Sequence, residues 1–518
     1  MTAGLMSLIP GRCRRGLLAQ SECLPLSVSS RLTGAFGTRQ SPMSSTGSDT
    51  QSSSTGSTAA QHLPRQLNLR DLVLSQVLTV VGSAWVGIAA GLGHAQTVVW
   101  LLAFGTFYLP MAAAVYHLNR EMPLEGGLYV WTRRAFGDTA GFLVAWNIWA
   151  YALCTIATIL FQIPSEFAYM VGPRAAWIPE NHLVVFCFLA GVLTVLALSA
   201  IRGLAIGKWI HNISGVAMIT AFALLILAPL WALWHHAPIH FAPFDLQLPE
   251  SNATSLALIG QTLFAAAGIE YVAIMAGESK APSRDIGRSI LIASPIIFLM
   301  FTLGTASVLA FHELTGTTIN YIAPIPQTLR LAFGDSGFAN LLARFVILLL
   351  QIRILGAASF IFTGVTRLPM VAGWDHLIPP WFSRLHPRYR TPTNSILVAT
   401  ILVAALLVLA SAGVRAAEAF AVLNNASNIL YGLAYLAMFA IPLVGAKLVR
   451  VRIPTWVAVL CIVGFCATLF TCATSVYPFV DVPNPLHFAI KITGTILLTN
   501  LIGYAFYRIR GLSAPAAP

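Results

Sequence analysis

Between Asp71 and Arg508 the sequence is a succession of apolar runs. Each is close to the ~20 residues that a helix rising about 1.5 Å per residue needs to cross a bilayer core. Twelve runs are legible, at approximately 72–93, 97–118, 140–163, 182–201, 210–234, 255–276, 290–311, 338–362, 393–412, 418–443, 454–477 and 487–508. The pattern predicts an all-α integral membrane protein with 12 transmembrane helices. Composition excludes a soluble domain: only 9% of residues are charged, against about a quarter in an ordinary soluble chain, and the mean hydropathy is +0.77. The formal net charge of +12 would point to nucleic acid in a soluble chain. Here the basic residues sit in short connections between apolar runs, so no nucleic-acid partner is expected and the lipid bilayer is the partner instead.

The same basic residues set orientation. With the N-terminus inside, the cytoplasmic connections hold Arg120, Arg133, Arg134, Arg202, Lys208, Lys280, Arg284, Arg288, Arg367, Arg384, Arg388, Arg390, Lys447, Arg450 and Arg452, and the tail holds Arg508 and Arg510. The opposite side holds only Arg174, Arg330, Arg415 and Lys491, which predicts both termini in the cytoplasm. Residues 1–65, rich in Ser, Thr, Gly and Gln, lack the apolar surface to fold and read as a disordered leader. Met43 opens MSSTGSDTQ, a second candidate start that would make 1–42 an extension; an Arg/Ser-rich transit peptide is another reading. The membrane-embedded body spans 66–510, followed by a short tail at 511–518. Of seven Cys, Cys13 and Cys23 lie in the leader and the rest in apolar runs, so neither disulfides nor a thiolate metal site is expected. His235, His236, His240, Asp245 and Glu250 in the 235–254 connection match no zinc spacing and read as a solvated loop. No cofactor is expected.

Two of the runs are interrupted. The sixth contains Ala265-Ala266-Ala267-Gly268 and then Glu270, and the first contains Gly82-Ser83-Ala84 and then Gly87. Small residues let another backbone approach closely, and glycine leaves helical geometry without a Cβ penalty. An ionisable group at Glu270's depth costs roughly 2 kcal/mol or more unless it faces protein, water or a ligand, which makes it a functional-site candidate. The plainer reading is a glutamate that hydrogen-bonds broken backbone. The two interrupted runs stand five apart, so a second copy of a five-helix unit would be inverted in the membrane, and paired interruptions of this kind point to a transporter's binding site. Close helix packing through small residues is the alternative. Arg353 lies deep in the eighth run and must face a cavity or a carboxylate. Substrate contact, a pair with Glu270, and bracing of the first span against the eighth are all open to it.

The stretch FAAAGIEYVAIMAGESKAPSRDIGRSI resembles the F-x-x-x-G-x-E helix and the following G-E-x-x-x-P-x-R-x-I-x-R loop of the amino acid–polyamine–organocation superfamily of permeases. EGGLYVWTRRAFG after the second run and TRLPMVAGWDHLIPPWFSRLHPRYRTP after the eighth are similar to further motifs of that family, in the same order. The resemblance covers roughly 66–510. It implies two inverted five-helix repeats, with helices 1 and 6 broken, plus two peripheral helices, working by alternating access. It further implies that a substrate carboxylate meets backbone amides at Gly82, Ser83 and Ala84, with Trp85 beside them. A substrate amine would meet carbonyls freed near Val80 and near Phe264, Ala265 and Ala266. Phe264 matches an aromatic that covers the substrate in arginine/agmatine exchangers, and Glu270 matches their glutamate. Gly268 supplies the second break. Two departures stand out: Ala84 replaces the usual third glycine, and the fifth run has no Lys after Lys208.

The reading that follows is a permease of the inner or plasma membrane moving an amino acid by proton symport or exchange, with Glu270 as the coupling group and Arg353 as a cavity cation. A polyamine or amine carrier and a transporter-like sensor are the alternatives. An enzyme would need clustered His, Asp and Glu or a nucleophile within the spans, and none is seen.

Overall fold

A computed structural model describes residues 68–122, 127–202, 204–236, 238–270, 282–334, 336–371, 381–412, 414–445 and 453–511. The expected leader, residues 271–276 of the expected sixth span, and parts of the loop motifs at 123–126, 277–281 and 372–380 lie outside them. The described residues form helices and connections, with no strand among them.

Ten described helices are long and apolar enough to cross a membrane: Gly93–Glu121, Asp138–Val171, His182–Arg202, Ile210–Trp234, Arg284–Thr315, Gly337–Pro369, Thr393–Ser411, Ala416–Val444, Thr455–Thr474 and Pro485–Ile509. Two shorter helices, α1 (Leu69–Val80) and α2 (Ser83–Ala90), pass the same test together but are bent by 47° across Val81-Gly82. These coincide with eleven of the twelve runs read from the sequence. The remaining run begins as α3 (Ala253–Phe264), which stops halfway.

The first break is one residue earlier than the small-residue triplet suggests. Gly82 is extended (φ −123°, ψ 141°), and Ser83 and Ala84 already belong to α2. In the second break, 265–268 leave the helix after Phe264, and Gly268 has φ +118°, a left-handed conformation that favours glycine. Gly87 has a different use. It lies inside α2, where a Cβ would stand 2.6 Å from Pro324, so its small size serves close packing against the short helix Pro324–Phe333. That helix was not legible as a span because it is only ten residues long.

The third long helix, α4 (Asp138–Val171), outruns its expected end at 163 and carries Pro164 inside. It is the axis of the bundle, packing against both α5 (Gly337–Val371) and α6 (Ala416–Ala440). Its C-terminal carbonyls are capped by two arginines. Arg330 donates from Nε to Tyr169 O (2.6 Å) and from Nη2 to Met170 O (2.9 Å), and Arg344 Nη2 donates to Val171 O (3.3 Å). Cations at a helix C-terminus satisfy orphan carbonyls and the dipole, which accounts for Arg344 in an apolar run. Lys491 pairs with Glu418 at 2.8 Å, tying α6 to Pro485–Gly511. In the loop read as solvated, Asp245 lies 3.3 Å from His94, and the His240 and His94 rings are 5.6 Å apart.

Candidate functional site

The two breaks open onto one cavity of about 80 Å³, enough for a few water molecules. Val80, Gly82, Ala84 and Trp85 line it from the first break, Phe264 and Ala265 from the second, and Arg353 from α5. Seven of the residues singled out in the sequence therefore meet on one wall-to-wall space. Ser83, Ala266, Gly268 and Glu270 are buried just behind it rather than on its surface.

Ser83 is fully buried and is the knot of a polar cluster. Its Oγ lies 2.9 Å from Gln162 Oε1 and 3.1 Å from Glu166 Oε1, and it accepts from Arg353 Nη2 at 2.9 Å. Arg353 also donates to Gln162 Oε1 (3.3 Å), and Gln351 Nε2 donates to Glu166 Oε2 (3.3 Å). A hydroxyl has one proton, so Ser83 serves either Gln162 or Glu166 at a time, while Arg353 keeps Gln162 satisfied in both cases. Arg353 ties α5 to the first residue of α2 and also lines the cavity, and none of its described hydrogen bonds goes to Glu270. Glu270 makes its contact elsewhere. Tyr435 OH donates to Glu270 Oε2 at 2.7 Å and accepts from Gly268 N–H at 3.1 Å, so one phenol from α6 holds both the second break and the carboxylate beyond it. Glu270 Oε1 has no hydrogen-bond partner among the described residues.

At the second break one expected backbone acceptor is in use, since Phe264 O accepts from Ala267 N–H at 2.9 Å. A carbonyl has two lone pairs, so this narrows its capacity for an amine without removing it.

Sequence reasoning missed Glu166 and the polar face of α4. Gln162 and Glu166 are four residues apart, as are Tyr151 and Thr155, and Tyr151, Thr155, Thr158 and Gln162 form one helical stripe along the cavity. The signal was present as polar residues at helical spacing beside Pro164, but the expected run ends at 163, short of Glu166. Phe420, Asn424, Ser427 and Asn428 form the matching stripe on α6. Phe420 also lines a second cavity, of about 1090 Å³, at the helix ends near Ala90, Gly316 and Arg415. Glu180, Glu313 and Asp481 are among its acidic walls.

Comparison with known proteins agrees with this architecture. The sequence model of a family described as amino acid permease matches residues 68–499. An uncharacterised transporter of Legionella pneumophila is 25% identical over 386 residues, covering 73% of this chain and 81% of the relative. Cationic amino acid transporter 5 of Arabidopsis thaliana is 26% identical over 291 residues, 54% of this chain and 48% of the relative. A probable agmatine/putrescine antiporter of Lactococcus lactis is 25% identical over 249 residues, 46% and 52% of the two chains. With the family match spanning residues 68–499, the chain belongs to the amino acid permease family, within the amino acid–polyamine–organocation superfamily.

Proposed function

We propose that this multi-pass membrane transporter moves an amino acid, by proton symport or exchange, through the cavity between the two helix breaks. The observation that carries the reading is that both breaks, far apart in sequence, line the same small enclosed space. The first turn of α2 has backbone N–H groups without intrahelical partners and the positive end of a helix dipole, a setting that suits a carboxylate. Carbonyls at Val80 and around Ala265 and Ala266 suit the ammonium. Glu166 and Glu270 are the carboxyl groups available to carry a proton, one behind each break. Phe420, buried and shared by both cavities, stands as the barrier between the substrate space and the larger vestibule. The two breaks fit a layout of twelve helices in two inverted five-helix repeats plus two peripheral helices, in the inner or plasma membrane with both termini in the cytoplasm.

Thermal stability of the detergent-purified protein against a panel of amino acids and polyamines tests the reading, because a ligand that binds only the folded state raises apparent stability by mass action. Stabilisation by amino acids is expected. Stabilisation by polyamines alone would favour the second reading, an amine carrier, which the agmatine/putrescine relative supports.

A further inference from the structure

The polar groups of α6 are oriented by a relay that begins at two backbone carbonyls. Asn425 Nδ2 donates to Ser475 O (2.8 Å) and Tyr477 O (3.1 Å), which leaves its Oδ1 as an acceptor. That oxygen takes a hydrogen bond from Gln261 Nε2 at 2.9 Å, and Gln261 Nε2 also donates to Ser475 Oγ at 3.2 Å. Gln261 therefore presents Oε1 on its other side. Asn424 Nδ2 donates to it at 2.8 Å, and Asn428 Nδ2 does the same. Carbonyl oxygens of the main chain cannot flip, so each amide in the series has one allowed orientation. Asn424 and Asn428 are thus left with their Oδ1 atoms unused by any described hydrogen bond, and both residues line the cavity while being at least nine-tenths buried.

Three of the hydroxyls on the same walls carry the same polarity, while Thr155, on the stripe of α4, has no described hydrogen-bond partner. Ser427 donates to Asn424 O (2.8 Å), Thr158 to Cys154 O (2.9 Å) and Thr79 to Ser75 O (2.8 Å), so each offers the cavity lone pairs rather than a proton. Among the described residues, Arg353 is the one formally charged residue on the lining and no carboxylate lines the space.

From this arrangement we infer that Asn424 and Asn428 form the side-chain subsite of the cavity, selecting small amino acids whose uncharged side chains carry an N–H or O–H donor. The inference rests on the proposed amino acid site. A donor-free side chain would leave two desolvated carbonyl oxygens unmatched, and a cationic one would enter a space whose one charge is an arginine. The backbone elements at the breaks hold the carboxylate and ammonium that all amino acids share, so the asparagine pair acts on the side chain alone.

Binding to the wild-type protein, read by thermal shift or isothermal titration, needs no variant. Asparagine should bind about tenfold more tightly than leucine and threonine about tenfold more tightly than valine, each pair being close in shape. Lysine and agmatine should bind more weakly than asparagine. Equal affinities within both pairs, or tighter binding of lysine or agmatine, would overturn the assignment. Asn424→Leu and Asn428→Leu should each weaken asparagine binding by a larger factor than alanine binding, so that asparagine loses its advantage over leucine. Equal loss of asparagine and alanine in both variants, with the protein monodisperse, would place the pair on the shared ammonium instead and sink the inference. If no amino acid binds the wild-type protein at all, the underlying transport site is wrong, a result distinct from binding without side-chain preference.

Discussion

Ser83 and Glu270 show how differently a buried polar side chain can be held. Ser83 is surrounded by Gln162, Glu166 and Arg353, with two opposite formal charges converging on one hydroxyl. Removing one charge strands the other in a low-dielectric interior. Arg353→Met should therefore destabilise the protein by about 3–5 kcal/mol, and adding Glu166→Gln should restore part of the loss. Thermal unfolding of the two single variants and the double variant checks this: strict additivity would show that the two charges do not interact. Glu270 takes a hydrogen bond from the Tyr435 phenol and keeps one oxygen without a described side-chain or backbone partner. Glu270→Gln keeps shape and hydrogen-bonding capacity but cannot ionise, so it should preserve substrate binding and remove the pH dependence of transport. An unaltered pH profile in the variant would make Glu270 a brace for the break and move any coupling proton elsewhere, with Glu166 next in line.

At the scale of the element, the two breaks are alike in position but not in construction. The first is an extended Val81-Gly82 corner, over which the Trp85 ring folds: a Cβ on Gly82 would come within 2.8 Å of it. The second turns at Gly268 with φ +118°, where a Cβ would meet only Val80, at 3.4 Å. Gly268→Ala should therefore cost stability through backbone strain rather than collision, on the order of 1–3 kcal/mol. Gly87→Ala should cost a similar amount for the opposite reason, because its Cβ would overlap Pro324. Relief of the Gly87 variant by Pro324→Gly, which removes both the Cβ and the Cγ that the new methyl would meet, with no relief of the Gly268 variant, separates the two mechanisms in thermal unfolding. The breaks were legible because small-residue interruptions recur in two runs five apart, one of them followed by Glu270. The polar stripes of α4 and α6 were not, since Gln162, Glu166, Asn424 and Asn428 acquire meaning only from partners more than seventy residues away, such as Ser83 and Gln261. Local periodicity carries no record of such pairings. It also hides the role of a glycine, so that Gly87 and Gly82, five residues apart in one run, look alike in sequence and do different things.

For the molecule as a whole, the account requires a bundle of fixed orientation in which a central space is reached alternately from the two sides. Ser251 and Arg388 are both exposed and lie in connections expected on opposite faces. In a background without native Cys, Ser251→Cys should react with an impermeant thiol reagent in intact cells and Arg388→Cys should not; the reverse pattern would overturn the orientation. Of the expected leader at 1–65, deletion of residues 1–42 should leave insertion and uptake unchanged, whereas loss of membrane expression would make them a working segment. The central claim is that substrate occupies the space between the two breaks, and counterflow in proteoliposomes tests it most directly. Ala265 is a small residue on the cavity wall, and Ala265→Leu would fill that space. Vesicles holding wild-type protein and loaded with unlabelled amino acid should accumulate the labelled compound from outside, while Ala265→Leu, monodisperse and correctly inserted, should accumulate none. Undiminished accumulation in the Ala265→Leu vesicles would contradict the claim and put the transport path elsewhere in the bundle.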